Sequence, residues 1–296
     1  MSTILTSKCS PWTPIDVFLK HQKIHSKHNS KLSKNNIAAS QNKIDIIKET
    51  LNNGIILSYD TILTFAENGY IDSVKYLLKV KKNDDDMMFS MNETLFNHAC
   101  MSGNLQLIKF LVDNNCPQDE SALIHIISNN HPIYVITWAL DNFRFGLNWY
   151  LQYGNGCKLN GSNNIDIIIA AVGTGNLNTL KFLIEKGFVN TSDDNNITNL
   201  DLLPLKCACE LPFRFGKPII ELLIEKKYKY DTSILYWRND DSKEDILNRW
   251  ALLFKLCKFD KKDFDYYKTK NKKWIETEMK NIFDEKWMVN VGFIDN

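Results

Sequence analysis

No stretch of this 296-residue chain approaches the run of about eighteen apolar residues that a membrane-spanning helix needs. Met1 to Pro14 hold no apolar block of the kind that opens a secretory signal. An intracellular, cytoplasmic protein is the expectation. Cysteine pairing is lacking too: the seven cysteines (Cys9, Cys100, Cys116, Cys157, Cys207, Cys209 and Cys257) are odd in number and scattered, so reduced thiols are expected. The Asn-x-Ser/Thr triplets at Asn92, Asn160, Asn190 and Asn196 then have no use as glycosylation acceptors.

Catalytic signatures are equally scarce. Gly156-Cys157-Lys158 is followed by Leu159, where a phosphate-binding loop needs Ser or Thr. No Ser-His-Asp or Cys-His set has a local signature. His21, His25 and His28 would share one side of a helix, but only Cys9 lies near, and a zinc site wants a fourth ligand and a second shell. Cys207 and Cys209 fall in a predicted helix, where residues two apart face different directions, so they are read as core filling. The expectation is a protein without catalytic residues, metal or cofactor, and not an enzyme.

The net charge of +1 hides an uneven distribution. Residues 1–34 carry six lysines against Asp16, and residues 255–273 carry eight against Asp260, Asp263 and Asp265. Solvated faces and tails account for most such runs; an anionic partner is the alternative. Tyr266 to Trp274 interleaves lysines with aromatics, as a single-stranded nucleic-acid groove does, though an exposed helix burying Trp274 would read the same way. Asp84 to Asp86 reads as a solvated loop.

What the chain does have is a repeat. Gly69 to Leu78, Gly103 to Val112 and Gly175 to Ile184 share one ten-residue pattern, with offsets of 34 and 72 residues. Ala66, Ala99 and Ala171 precede the three glycines, and alanine lets two helices approach closely. Glycine after a last helical turn accepts the left-handed conformation. After it, apolar residues at offsets +2, +5, +8 and +9 define one helix face, with Lys75, Lys109 and Lys181 beside the stripe. The unit is predicted as helix, tight turn, helix. A period of this size marks a solenoid, in which no unit buries its apolar face without a neighbour.

These residues resemble the ankyrin repeat. The clearest matches are Thr94-Leu-Phe-Asn-His-Ala99 followed by Gly103, and the stretch from Gly175 to Gly187. Two further units run from Ile37-Ala38-Ala39 to Gly54 and from Leu203-Pro204-Leu205 to Ile224. With the unit at Gly69 these make five, and a sixth, weaker one runs from Ala122 to Leu140, with His131 at the glycine position. Across residues 31–230 this makes about six units, though the Thr-Pro-Leu-His signature never appears intact and the turns that shape the family's projecting hairpin are mostly missing. The resemblance implies an all-α, ankyrin-like helical repeat solenoid.

Around the array lie a basic segment at 1–30, with a predicted capping helix from Thr13 through Leu19, and a helical segment rich in Trp and Lys at 231–296. That last segment, with a predicted helix from Ile246 to Leu256, reads as a cap or as a separate module. Residues 141–164 form an insertion holding Trp149, Tyr150 and Tyr153, either a spacer between half-arrays or a contact site.

For function, the resemblance implies a non-catalytic scaffold that binds a partner protein through a concave face and inter-repeat loops. His98 and Met101 on a first helix, and Trp149, Tyr150 and Tyr153 in the insertion, are the candidate contacts. Alternatives are an adaptor recruiting a ubiquitin ligase through the C-terminal segment, and nucleic-acid or anionic-surface binding through the basic ends. The abundance of Asn, Ile and Lys fits an AT-rich genome, such as that of a protist or a large DNA virus.

Overall fold

A computed structural model describes residue 39 and residues 41–80, 89–146, 163–188, 202–231, 234–235 and 242–257. Twelve helices lie among them, with no strand among the described residues. They are α1 (Ile44–Asn52), α2 (Tyr59–Glu67), α3 (Ile71–Leu77), α4 (Glu93–Ser102), α5 (Leu105–Asp113) and α6 (Ala122–Ser128). There follow α7 (Ile133–Asn142), α8 (Asn163–Gly173), α9 (Leu177–Glu185), α10 (Leu203–Glu210), α11 (Phe213–Glu225) and α12 (Lys243–Leu256). Ten of these form five helix–turn–helix pairs, from α2–α3 to α10–α11, with α1 ahead of them and α12 behind.

The first helix of every pair buries two adjacent doublets one turn apart. They are Thr61-Ile62 and Phe65-Ala66 in α2, Leu95-Phe96 and Ala99-Cys100 in α4, and Ala122-Leu123 and Ile126-Ile127 in α6. Ile167-Ile168 and Ala171-Val172 in α8, and Pro204-Leu205 and Ala208-Cys209 in α10, repeat the pattern. Residues at i, i+1, i+4 and i+5 cover a stripe wide enough to touch both neighbouring first helices. The first helices accordingly stack in one row, α2 on α4 on α6 on α8 on α10, and each also packs on its own second helix.

The second helices bury a slightly rotated face. Offset +2 stays half exposed (Ile71, Leu105, Leu177), while offset +4 is buried even where it is polar, as at Ser73 and Thr179. In α1, Ile47 is buried but Ile46 is exposed. The buried residues join into one core running from Ala39 to Cys257.

Helix ends are specified locally. Asn92 caps α4 through Leu95 N, and Ser242 caps α12 through Asp245 N. Gly69, Gly103 and Gly175 close first helices at positive φ, as predicted. In the α6–α7 pair the left-handed residue is Asn130 (φ 56), not His131. His131 is an extra residue inserted between that turn and the N-cap Pro132, which is why aligning α7 alone puts it at the glycine position.

Helix α12 packs on α11. Its Ile246, Trp250, Leu253 and Cys257 are buried, and Arg249 is fully buried with Nη2 donating to Leu211 O, at the C-terminal end of α10, at 3.0 Å. A guanidinium at a helix C-terminus meets the carbonyls that have no partner within the helix.

Candidate protein-binding face

Because the first helices bury i, i+1, i+4 and i+5, four other positions on each remain to line the face they share. These are Asp60, Leu63, Thr64 and Glu67 on α2, and Thr94, Asn97, His98 and Met101 on α4. Ser121, Ile124, His125 and Ser128 follow at α6, then Asp166, Ile169, Ala170 and Gly173 on α8. Most are half-buried, Asp60 and Thr94 are exposed, and Ala170 is buried. The face is mixed: aliphatic at Leu63, Ile124 and Ile169, polar or acidic around them.

Side chains link this face from one repeat to the next. His98 Nδ1 stands 3.4 Å from Glu67 Oε2, an ion-pair distance across α2 and α4. Asn97 Nδ2 donates to Asp119 Oδ2 at 2.9 Å and to Ser121 Oγ at 3.1 Å, tying α4 to the loop that enters α6. Asp119 also accepts from Ser121 N and Oγ, so this loop is held by its own carboxylate.

The turns form a second row of ties. Asn104 caps α5 by accepting from Gln106 N and Leu107 N, and its Nδ2 donates back to Gly69 O at 2.7 Å. Asn176 does the same for α9 and donates to Asn130 Oδ1 at 2.6 Å. Ser73 Oγ donates to Asn42 Oδ1 at 2.9 Å. At the remaining junction the inserted His131 takes over, with Nε2 donating to Met101 O at 2.9 Å. Asn104 and Asn176 thus each start their own helix and bond back to the preceding turn, whereas Ser73 and His131 make only the bond between repeats.

A third row crosses the second helices. Lys48 Nζ lies 5.4 Å from the Tyr76 ring centroid, Lys75 4.9 Å from Phe110 and Lys109 5.4 Å from Trp138. In each case the lysine of one repeat covers an aromatic ring of the next. Each contact contributes about 0.5–1 kcal/mol where exposed.

The turn row is interrupted after Gly175. There Pro212 stands at the N-cap of α11, and Phe215 lies against Gly175 instead of a capping amide. A cleft of about 410 Å³ opens at that point, lined by Asn130, Thr174, Asn176, Asn178, Leu211 and Phe215 among others. Among the described residues no titratable side chain lines it. The buried cysteines are inert. Burial raises the Cys116, Cys207 and Cys257 thiols to about 12 and also raises Cys100 and Cys209 well above the ordinary value, whereas a nucleophilic cysteine needs a lowered value. Cys207 and Cys209 are both buried in α10, as core-filling residues should be. Among the described residues no group of His, Cys, Asp and Glu is arranged to hold a metal ion.

Of the sequence-derived contacts, His98 and Met101 fall side by side on the shared face of α4. Each also has a structural partner, His98 in Glu67 and Met101, through its carbonyl, in His131. Trp149, Tyr150 and Tyr153 lie outside the described residues, as do His21, His25 and His28, the helix from Thr13, Asp84 to Asp86 and the Tyr266 to Trp274 stretch. Sequence reasoning missed Leu63, Ile124 and Ile169, although the doublet pattern on either side of each marks them as the unburied positions. It also missed the second role of Asn104 and Asn176.

No helix among the described residues is long and apolar enough to cross a membrane. No curated protein and no solved structure matches the chain. Residues 66–142, from the end of α2 to the end of α7, match the family described as ankyrin repeats (3 copies), so this part of the chain carries ankyrin repeats.

Proposed function

We propose that the chain is a non-catalytic scaffold whose row of first helices holds a partner protein. Ankyrin repeats are typically protein–protein interaction modules, and one observation supports this use here. The positions of α2, α4, α6 and α8 left out of the buried doublets share one mixed face, and besides the Asn97 and His98 links on that face the repeats are tied through the turns and the second helices behind it. A surface held rigid from behind loses little conformational freedom on binding, so shallow contacts suffice. The loops that enter the first helices, such as Asp119 to Ser121, border the same face and extend it.

The test uses full-length protein as bait, with His98→Ala/Met101→Ala on the face and Lys75→Ala/Lys109→Ala behind it. The face pair is expected to lose an isolated partner while keeping the helical circular dichroism of the folded chain, and the rear pair to retain the partner. Equal retention by both would remove the face from the binding site.

A further inference from the structure

In the helices from α1 to α9, lysine and arginine are confined to one side of the described array, while carboxylates occur on both. Helices α2, α4, α6 and α8 carry Asp60, Glu67, Glu93 and Asp166 and no lysine or arginine. Helix α1 carries Lys48 and the second helices carry Lys75, Lys109, Lys181, Arg214 and Lys217, lacking a cation only in α7, and these helices hold carboxylates as well, Asp45, Asp72, Asp113 and Glu185 among them. On the shared face the carboxylates of Asp60, Glu67 and Asp166 stand at lining positions beside Leu63, Ile124 and Ile169, and Asp119 and Glu120 border it from the loop before α6. The single sign ends at α10, where Lys206 occupies the position of Leu63.

Resting on the reading of this face as the binding site, we infer that its partner is a basic protein segment, cationic side chains alternating with aliphatic ones. Charge complementarity selects the sign: α2, α4, α6 and α8 present carboxylates and carry no lysine or arginine of their own, which favours a cationic segment over an acidic one. The aliphatic positions take the side chains between the charges. Packed helix axes lie about 8–10 Å apart, so the four first helices span about 30 Å, the length of about nine extended residues. An extended segment crossing the row meets Asp60 and Glu67 at one end and Asp166 at the other.

The experiment measures the affinity of the full chain for a labelled nonapeptide alternating arginine and leucine, and for its counterpart with glutamate in place of arginine. The basic peptide is expected to bind, more weakly as salt rises, and the acidic one not to. Asp60→Lys/Glu67→Lys is expected to lower the affinity about tenfold, while Asp72→Lys/Asp113→Lys on the second helices changes it less than about twofold. Equal binding of the two peptides, or equal loss in the two double variants, would overturn the inference. So would a zero-length carboxyl–amine cross-link from Glu67 to a lysine of residues 258–273, because the chain's own basic end would then occupy the face. If these outcomes appear while His98→Ala/Met101→Ala still loses its protein partner, the face stands and only the chemistry of the partner is wrong.

Discussion

His131 reaches back across a repeat boundary to donate from Nε2 to Met101 O at 2.9 Å, and its ring then covers Gly103 so closely that a Cβ there would fall 2.3 Å from Nδ1. Gly103 is also left-handed, at φ 64. Gly103→Ala therefore combines backbone strain of about 1–2 kcal/mol with displacement of the imidazole and loss of its hydrogen bond, about 1 kcal/mol more. Urea denaturation should show a loss of about 2–3 kcal/mol. Gly54→Ala, with φ 73 but open space around it, should show only the strain.

Asn104 separates capping from stacking. Asn104→Ala removes both the cap on α5 and the bond to Gly69 O, and is expected to cost about 1–3 kcal/mol. Asn104→Asp keeps the acceptor for Gln106 N and Leu107 N but sets a carboxylate against the Gly69 carbonyl. Thermal melts should rank it below wild type while the helical circular dichroism of the folded state is retained. Equal stability of the Asn104→Asp variant and wild type would show that the inter-repeat bond contributes nothing.

The Lys109–Trp138 contact is electrostatic, so it should respond to charge and not to side-chain volume. Lys109→Met keeps the aliphatic stem and removes the ammonium, with an expected loss of about 0.5–1 kcal/mol in denaturant titration. The same change at Lys181, an exposed lysine at the equivalent place on α9, serves as the comparison.

The buried thiols set an alkaline limit. Cys116, Cys207 and Cys257 rise from an ordinary 9.0 to about 12 through burial, and Tyr59 from 10.0 to about 12 for the same reason, with the Cys116 thiolate adding to it. Between these values the unfolded chain has released protons that the folded chain still holds, so unfolding becomes easier as pH rises. Stability should be flat up to about pH 9 with respect to these groups and fall above it, and Cys207→Ala should reduce the slope. Thiol reagents at mild pH should leave the five described cysteines unlabelled until denaturant is added.

Arg249 and Trp250 pin α12 to the end of the array. Arg249→Met leaves Leu211 O without its donor and is expected to cost about 1–3 kcal/mol. Hydrogen exchange should speed up across residues 242–257 while α4 to α7 remain protected. We read α12 as the cap of the array on this basis, since an open solenoid end exposes an apolar face.

Much of the architecture was readable from local pattern. Gly69, Gly103 and Gly175 mark turns because only a residue without Cβ takes positive φ cheaply, and the alanines before them mark close helix approach. Placing His98 and Met101 on a first helix followed from the same alignment. What escaped is what depends on a second repeat. His131 aligned with the glycines, and nothing local shows that Asn130 takes the left-handed place while the imidazole serves the preceding turn. Lys75 and Lys109 could be set beside a stripe, but the rings they cover belong to the next unit.

The period, the helix pairs, the caps and the absence of a phosphate-loop signature are properties of residues a few positions apart, and the sequence alone determined them. Which polar side chains face a partner and which bind the repeats together was decided only by stacking. Asn97, His98, Asn104 and His131 are chemically alike in sequence, and their roles divide only when a neighbouring repeat brings a carboxylate or a carbonyl within hydrogen-bonding reach.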